Sequence, residues 1–482
     1  MDTGTFSRTN YRSTADRVAR GLQRPAVPAV AFTMLAVGID TAVLTLAVWF
    51  AAYLTAGVLD QPGLTMGLAL ATASLTSASL WAAGAYRLST LRHPLRSAAY
   101  VWIAAVLWTL AVAPIDLWPY PHSSFFVMAA GLLAITLLTS HALMGLITRW
   151  AQDFGLTDRS AVLVGGGKEA AAVLETMQAN NVRDIRVVGL FDDRTDARSP
   201  DAVLGVPKLG MTADLVPFAR QAQIDVVIIA FPLTAKRRIR ETAELLRVLP
   251  VDVHLSGLAS SIAAEGRGAD LITLSHRPIT GGRAMAKRIF DAAVACLALI
   301  LLAPLLVVIA LAVKCTSAGP VFFRQKRHGY NNTEIEIFKF RSMYVESADR
   351  TARRVVQKGD PRVTPVGRFI RRWSLDELPQ LINVVTGDLS LVGPRPHVVN
   401  AVYSETTPFE DLVDGYAARH RVLPGITGWA QINGWRGEID DPERLQRRVE
   451  HDLYYIENST LWFDLWILLR TIPSLLNTKY AY

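Results

Sequence analysis

The sequence is poor in cysteine and in charge. It has two cysteines in 482 residues, Cys296 and Cys315, with no Cys-x-x-Cys pair and no His/Cys cluster at zinc spacing. That excludes a disulfide scaffold and a structural zinc fold. Charged residues make up only 19%, while 51% are apolar. A mainly disordered chain would show the opposite balance. Lysine and arginine are missing from two particular stretches, around Asp60 and from Asp116 to Ser124.

The apolar excess is concentrated. Four early stretches, residues 30–58, 64–86, 98–118 and 125–147, are each long enough for the ~20 residues that cross a ~30 Å hydrocarbon core. Each reads as a helix, because backbone in lipid must satisfy its own hydrogen bonds. Arg8, Arg12, Arg17, Arg20 and Arg24 precede the first, Arg87, Arg92 and Arg96 lie between the second and third, and Arg149 follows the fourth. The two loops without basic residues then face outward, and both ends of the bundle are expected in the cytoplasm. The first stretch starts late for a signal peptide and reads as retained. Asp40 and His141 fall inside spans. Each is solitary in its own stretch, so a packing role is expected, and the lack of paired polar groups argues against a transporter.

From about residue 158 to 274, short apolar runs alternate with charged helical ones. Residues 161–164, 187–191 and 226–230 read as strands and 168–178 as a helix, the pattern of a parallel α/β sheet. Gly165-x-Gly167-x-x-Ala170 fits a dinucleotide-binding turn, and Asp192 stands where a ribose-binding carboxylate would. Gly165, Gly167 and Asp192 are therefore candidate cofactor-binding residues in a Rossmann-like middle domain. Glycine also serves such turns for packing alone.

Residues 289–313 are apolar again and contain Pro304. Lys287 and Arg288 precede them, and Lys314, Arg324, Lys326 and Arg327 follow. Cations at both ends, with a helix-kinking proline between, predict a re-entrant hairpin that bends near Ala303–Pro304 and returns to the same side.

The last third carries short polar motifs. Lys339 and Arg341 alternate with apolar residues and would share one face of a strand, a pair of cations suited to phosphate. Ser374-Leu375-Asp376-Glu377 has a capping-box pattern. At a helix N-terminus the dipole would keep Asp376 ionised. An ionised carboxylate can attack phosphorus. Glu377 can help hold a magnesium ion, which takes one or two carboxylates plus substrate phosphate oxygens. Arg395 lies between Pro394 and Pro396, fixed to fork onto a diphosphate. Gln431 sits in the glycine-rich stretch 424–434 and is a further substrate candidate.

These motifs carry a resemblance. The region 281–482 is similar to the bacterial sugar transferase family, the monotopic phosphoglycosyl transferases. The matching pieces are the apolar segment with Pro304, Lys339-Phe340-Arg341, Asp376-Glu377-Leu378-Pro379-Gln380-Leu381, Gly393-Pro394-Arg395-Pro396 and the loop 425–434. The whole chain looks like the polytopic members that start exopolysaccharide or capsule synthesis. The stretches 435–438 and 452–458 resemble the undecaprenyl-phosphate glucose phosphotransferases most. The family resemblance implies a membrane protein with a four-helix bundle (30–150) after a cytoplasmic segment (1–29), a Rossmann-like domain (151–280) and an α/β catalytic domain (281–482) with a re-entrant helix at 289–313. It implies that Asp376 attacks the β-phosphate of a UDP-sugar, UDP-glucose first among them, and releases UMP. Undecaprenyl phosphate then takes the phosphosugar. Glu377 would bind Mg2+, Arg371 the lipid phosphate and Arg395 the diphosphate. Family members have Ser before the kink proline, whereas this chain has Ala303. The expected partners are the UDP-sugar, undecaprenyl phosphate and the bilayer of the bacterial inner membrane. No nucleic acid is expected, and the bundle is available as the contact surface of a homo-oligomer.

Two other readings compete. A membrane-bound nucleotide-sugar dehydratase or epimerase would need Tyr-x-x-x-Lys, and none of the tyrosines has a lysine four residues on. An inactive scaffold or regulator of polysaccharide assembly is opposed by the intact Asp376, Glu377 and Arg395.

Overall fold

In the computed structural model, residues 3–22, 29–56, 61–112, 123–153, 158–179, 185–194, 201–256, 271–345, 360–399, 409–437 and 441–476 are described. The expected outer loops near Asp60 and at 116–122 lie outside them. Two compact units emerge, residues 25–158 and residues 1–24 with 159–482.

The first unit is helical. Helices Ala29–Ala56, Pro62–Ala83 and Ser123–Asp153 contain segments long and apolar enough to cross a membrane, and the apolar part of Pro94–Val112 is shorter. Ala29–Ala56 packs on Pro62–Ala83 and Ser123–Asp153, and Pro94–Val112 packs on Ser123–Asp153. Leu44, Val48, Leu133 and Leu137 fill the centre, while Leu46, Leu75, Trp102 and Ile135 face outward, so the unit is apolar outside as well as inside. Asp40 and His141 are not solitary. His141 Nε2 and Asp40 Oδ2 are 2.9 Å apart, Tyr86 and Ser140 donate to the two Asp40 oxygens at 2.8 and 2.5 Å, and Ser97 Oγ lies 2.7 Å from His141 Nδ1. The expectation of unpaired groups fails because the partners sit on other helices, out of reach of any pattern within one span.

In the second unit, seven strands form a mixed sheet: β1 (Arg159–Val164), β2 (Ile185–Phe191), β3 (Ala202–Val203), β4 (Val206–Gly210), β5 (Val226–Ile229), β6 (Asp252–Ser256) and β7 (Leu271–Ser275). Their order is β3-β4-β2-β1-β5-β6-β7. The five central strands are parallel, and the edges β3 and β7 are antiparallel. Val162 and Val164 face one core, Ala161 and Leu163 the other. Burial on both faces is why these strands read as continuous apolar runs. The N-terminal segment does not stand apart as the sequence suggested. It forms helix Thr3–Gly21, with Ala19 buried in the core of the sheet and the Tyr11 hydroxyl donating to Asp201 at 2.5 Å.

The C-terminal part starts with the 36-residue helix Gly281–Thr316, which includes Pro304. Near its start, Lys287 pairs with Asp464 at 2.7 Å, Asp291 accepts from Ser390 at 2.7 Å, and Ala295 is buried. Near its end, Ile309 and Val313 are buried with Phe340 and Ile370. Between them Leu297, Ile300, Leu301, Val307 and Val308 are exposed. The hairpin β8 (Phe322–His328) and β9 (Glu334–Phe340) follows. Then come helices Pro365–Arg372 and Gln380–Thr386, the parallel pair β10 (Ser390–Val392) and β11 (Gly425–Thr427), and helices Pro442–Asn458 and Leu461–Leu476.

Candidate active site

Three backbone segments converge on one carboxylate pair. The first is the turn between two short helices. Thr364 caps helix Pro365–Arg372 by accepting from Gly367 N–H at 2.9 Å, with Pro365 at its first position, the favoured proline placement. The helix delivers Arg371 in its last turn. The chain then reverses at Ser374, whose φ of 55° is left-handed, a costly conformation for a residue with a Cβ. Arg436 holds it by donating to its hydroxyl at 2.6 Å. The expected capping box does not form, because that hydroxyl is engaged by Arg436. Asp376 and Glu377 lie in the following 3-10 turn, Leu375–Glu377, and the helix begins only at Gln380.

The second segment is β9, which sends Lys339 to Glu377 at 2.9 Å. The third is the Gly-Pro-Arg-Pro stretch. Gly393 N–H donates to Thr427 O and Gly425 N–H to Pro394 O, both at 2.9 Å. A Cβ on Gly393 would lie 2.5 Å from Leu423 O, so only glycine lets these backbones meet. The next two carbonyls are pinned as well. Arg419 donates to Arg395 O at 3.0 Å and Arg327 to Pro396 O at 3.2 Å. Arg419 is itself buried against Asp452 at 2.6 Å. Arg395, thus anchored, puts both guanidinium nitrogens on Glu377, one of them at 3.1 Å.

The two carboxylates differ in state. Burial pushes the Asp376 carboxyl up to about 6, and the Glu377 charge adds to the rise, against Lys339, Arg371 and Arg395. The expected ionised carboxylate is thus corrected: Asp376 does lie in the first turn of a helical segment, but it is 9% exposed and burial outweighs the dipole. Burial pushes Glu377 up too, but Arg395 and Lys339 hold it well below the usual carboxylate range. Burial lowers Lys339. Among the described residues nothing donates a hydrogen bond to the Asp376 carboxylate, which leaves its lone pairs free. Arg371 acts on Asp376 through space, and its Nη1 is buried without a partner. Cations gathered around the pair, one with an unused donor, make a site for a multiply charged anion.

Two comparisons bear on this geometry. Residues 282–478 match the family model described as bacterial sugar transferase, and residues 81–257 match one described as CoA-binding domain. The UDP-glucose:undecaprenyl-phosphate glucose-1-phosphate transferase of Escherichia coli (strain K12) is 38% identical over 73% of this chain and 75% of its own length. The chain belongs to the bacterial sugar transferase family. Proteins of the same description from Klebsiella pneumoniae (38% identical, 74% of this chain and 75% of theirs) and Xanthomonas campestris pv. campestris (35%, 72% and 73%) are similar as well.

Of the residues singled out in this sugar transferase from sequence, Asp376, Glu377, Lys339 and Arg395 come together, with Arg371 in electrostatic reach. Arg341 does not join them. It is buried and donates to Ser317 O and Ala318 O, both at 2.6 Å, tying off the end of the long helix. Gln431 lines a cleft beside Glu377. In the middle domain, Gly165 has φ +111°. Gly166 N–H donates to the buried Asp192 Oδ2 at 3.0 Å, and Arg194 N–H donates to Oδ1 at 3.2 Å. Asp192 thus closes on its own glycine turn. A Cβ on Gly167 would run into the Arg194 guanidinium. Sequence reasoning missed Arg436 as a site residue; its signal was its place in the Trp-Arg-Gly stretch, but its contact with Ser374 spans 62 positions.

Glu377 could contribute a carboxylate oxygen to magnesium. Glu377 Oε2 accepts one hydrogen bond, which leaves it a lone pair for a metal. No group of three or more His, Cys, Asp or Glu that could hold a metal occurs among the described residues, so substrate phosphate would have to complete the coordination.

Proposed function

We propose that this protein transfers a sugar 1-phosphate, glucose 1-phosphate first, from a UDP-sugar to undecaprenyl phosphate and releases UMP. This is the first membrane step of exopolysaccharide or capsule synthesis. Three relatives similar over most of the chain carry that activity in their names. The observation that carries the reading is the buried Asp376 carboxyl among the cations Lys339, Arg371 and Arg395, of which Arg371 has an unused donor.

The ionised Asp376 attacks the β-phosphorus. An aspartyl–phosphorus bond forms, the bond from phosphorus to the bridging oxygen breaks, and that oxygen leaves with UMP. An oxygen of undecaprenyl phosphate then attacks the same phosphorus, and the aspartate departs as a carboxylate. Lys339 and Arg395 keep Glu377 ionised and face the diphosphate. Arg371, with its unused donor, receives the lipid phosphate. Mg2+, when bound through Glu377, supplies charge neutralisation on the phosphate oxygens.

Both ends of helix Gly281–Thr316 pack on the same polar domain and its middle is apolar and exposed. This supports a re-entrant segment bent at Pro304, dipping into the inner leaflet. Trp462, 80% exposed on helix Leu461–Leu476, suits the membrane interface beside it. The site then faces the cytoplasm, where UDP-sugars are made. The five parallel strands run third-second-first-fourth-fifth, which supports a Rossmann-like middle domain. The intact site disfavours an inactive scaffold.

Asp376→Asn tests the mechanism. The full-length variant in detergent or nanodiscs should release no UMP from UDP-glucose. Full turnover would rule out the covalent route.

A further inference from the structure

A cleft opens against Glu377. Leu378, Leu381, Ile426 and Ile432 line it together with Gln431, Arg436 and four hydroxyl side chains, of which Ser374 is bonded to Arg436 and Thr427 to Thr471. Gln431 is only 8% exposed. Its Nε2 donates to Ile426 O at 3.3 Å. A carbonyl can only accept, so this pairing fixes which way the amide points. The other atom, Oε1, is buried without a partner. A buried acceptor left unmatched is unfavourable, so whatever fills the cleft should bring a donor.

The substrate offers three pieces that could enter. An isoprenoid chain suits the walls but has no donor for Gln431. A hexose has donors, but Ser374 and the Thr427–Thr471 pair are already bonded within the protein, so most of its hydroxyls would lose water against the four aliphatic side chains. Uracil has flat apolar faces and one N–H, at N3, on its edge. Arg436 lies at the mouth, bonded to Ser374 and within electrostatic reach of Asp376, Glu377 and Arg395. A base in the cleft would therefore lay its phosphates across Arg436 toward the carboxylate pair.

We propose that this cleft is the nucleobase subsite: it holds the uracil ring, Gln431 Oε1 accepts from uracil N3–H, and Arg436 receives the nucleotide phosphate. The proposal rests on the transferase reading above and adds the element that selects the nucleotide. It makes the fixed amide of Gln431 the discriminating group. A cytosine ring, which has an acceptor at N3, would set two acceptors against each other.

The test uses UMP and 3-methyl-UMP, which lacks the N3 donor, as ligands of the full-length protein in nanodiscs. Binding is measured by calorimetry. Wild type should prefer UMP by about tenfold or more, the scale on which losing one matched buried hydrogen bond is felt. Gln431→Met should lose that preference and bind both ligands alike. Gln431→Glu, which keeps an acceptor, should retain it, and this rescue separates recognition from misfolding. A Gln431→Met protein with the wild-type preference would overturn the proposal. So would a change confined to the KM for undecaprenyl phosphate, which would give the cleft to the lipid chain. UMP release by wild type is assayed in parallel. Its absence alongside a normal UMP preference would sink the transferase reading and leave the base subsite standing.

Discussion

Asp376 is held between burial, which favours its acid form, and Lys339, Arg371 and Arg395, which favour the carboxylate. Its folded pKa lies above the roughly 3.9 of an exposed aspartate. The protonated group therefore adds stability at low pH, and that contribution is lost as pH climbs through about 6. Activity runs the other way, since only the carboxylate attacks. The acid limb of kcat/KM for UMP release should rise through about 6. Lys339→Met should move it to higher pH, because it removes a cation favouring the charged form and also leaves Glu377 less neutralised. A limb that stays put or moves down in the variant would assign it to another group. Asp376, Glu377 and Arg395 were legible in the sequence because their chemistry resides in adjacent residue types. The dipole argument for Asp376 fails on burial, which outweighs the helical turn it stands in and which the local sequence does not register. Arg341 misled for a similar reason: strand alternation gives a direction, but not the helix end that occupies the guanidinium.

Helix Gly281–Thr316 poses a problem of length. Thirty-six residues make about 54 Å of straight helix, well beyond a ~30 Å hydrocarbon core, yet residues near both ends are buried in one polar domain. A bend at Pro304 reconciles the two, since proline deletes a backbone hydrogen bond and crowds the preceding turn. Arg283→Cys and Lys326→Cys, each in a Cys296→Ser/Cys315→Ser background, test this. In intact cells both should resist a membrane-impermeant maleimide, and both should react in inverted vesicles. Labelling from opposite sides would make the helix a span and place the active site outside. The apolar run and its flanking cations were visible in sequence, as were β1, β2 and β5, whose two-sided burial leaves continuous apolar runs. The left-handed turn at Ser374 was not, because the side chain that stabilises it arrives 62 residues later.

For the whole molecule, composition announced the division into apolar and polar parts, and the two compact units follow it except at the N-terminus and at helix Gly281–Thr316. Helix Thr3–Gly21 joins the sheet rather than the bundle, because its apolar side fits the core that Ala19 enters; arginine count alone does not register such a face. The larger omission lies within the bundle. Asp40 accepts from Tyr86 and Ser140 and pairs with His141, so one carboxylate gathers donors from the turn after the second helix and from the fourth. Lipid gives apolar helices little reason to prefer one another, so such polar contacts set which faces meet. Each contributes on average only about 0.6 kcal/mol in a membrane, so three broken at once should cost about 2 kcal/mol. Asp40→Ala should lose that much in denaturant-induced unfolding of the detergent-solubilised protein. Asp40→Asn keeps one acceptor oxygen and should lose less. If Asp40→Ala unfolds like wild type, the cluster does not hold the bundle together.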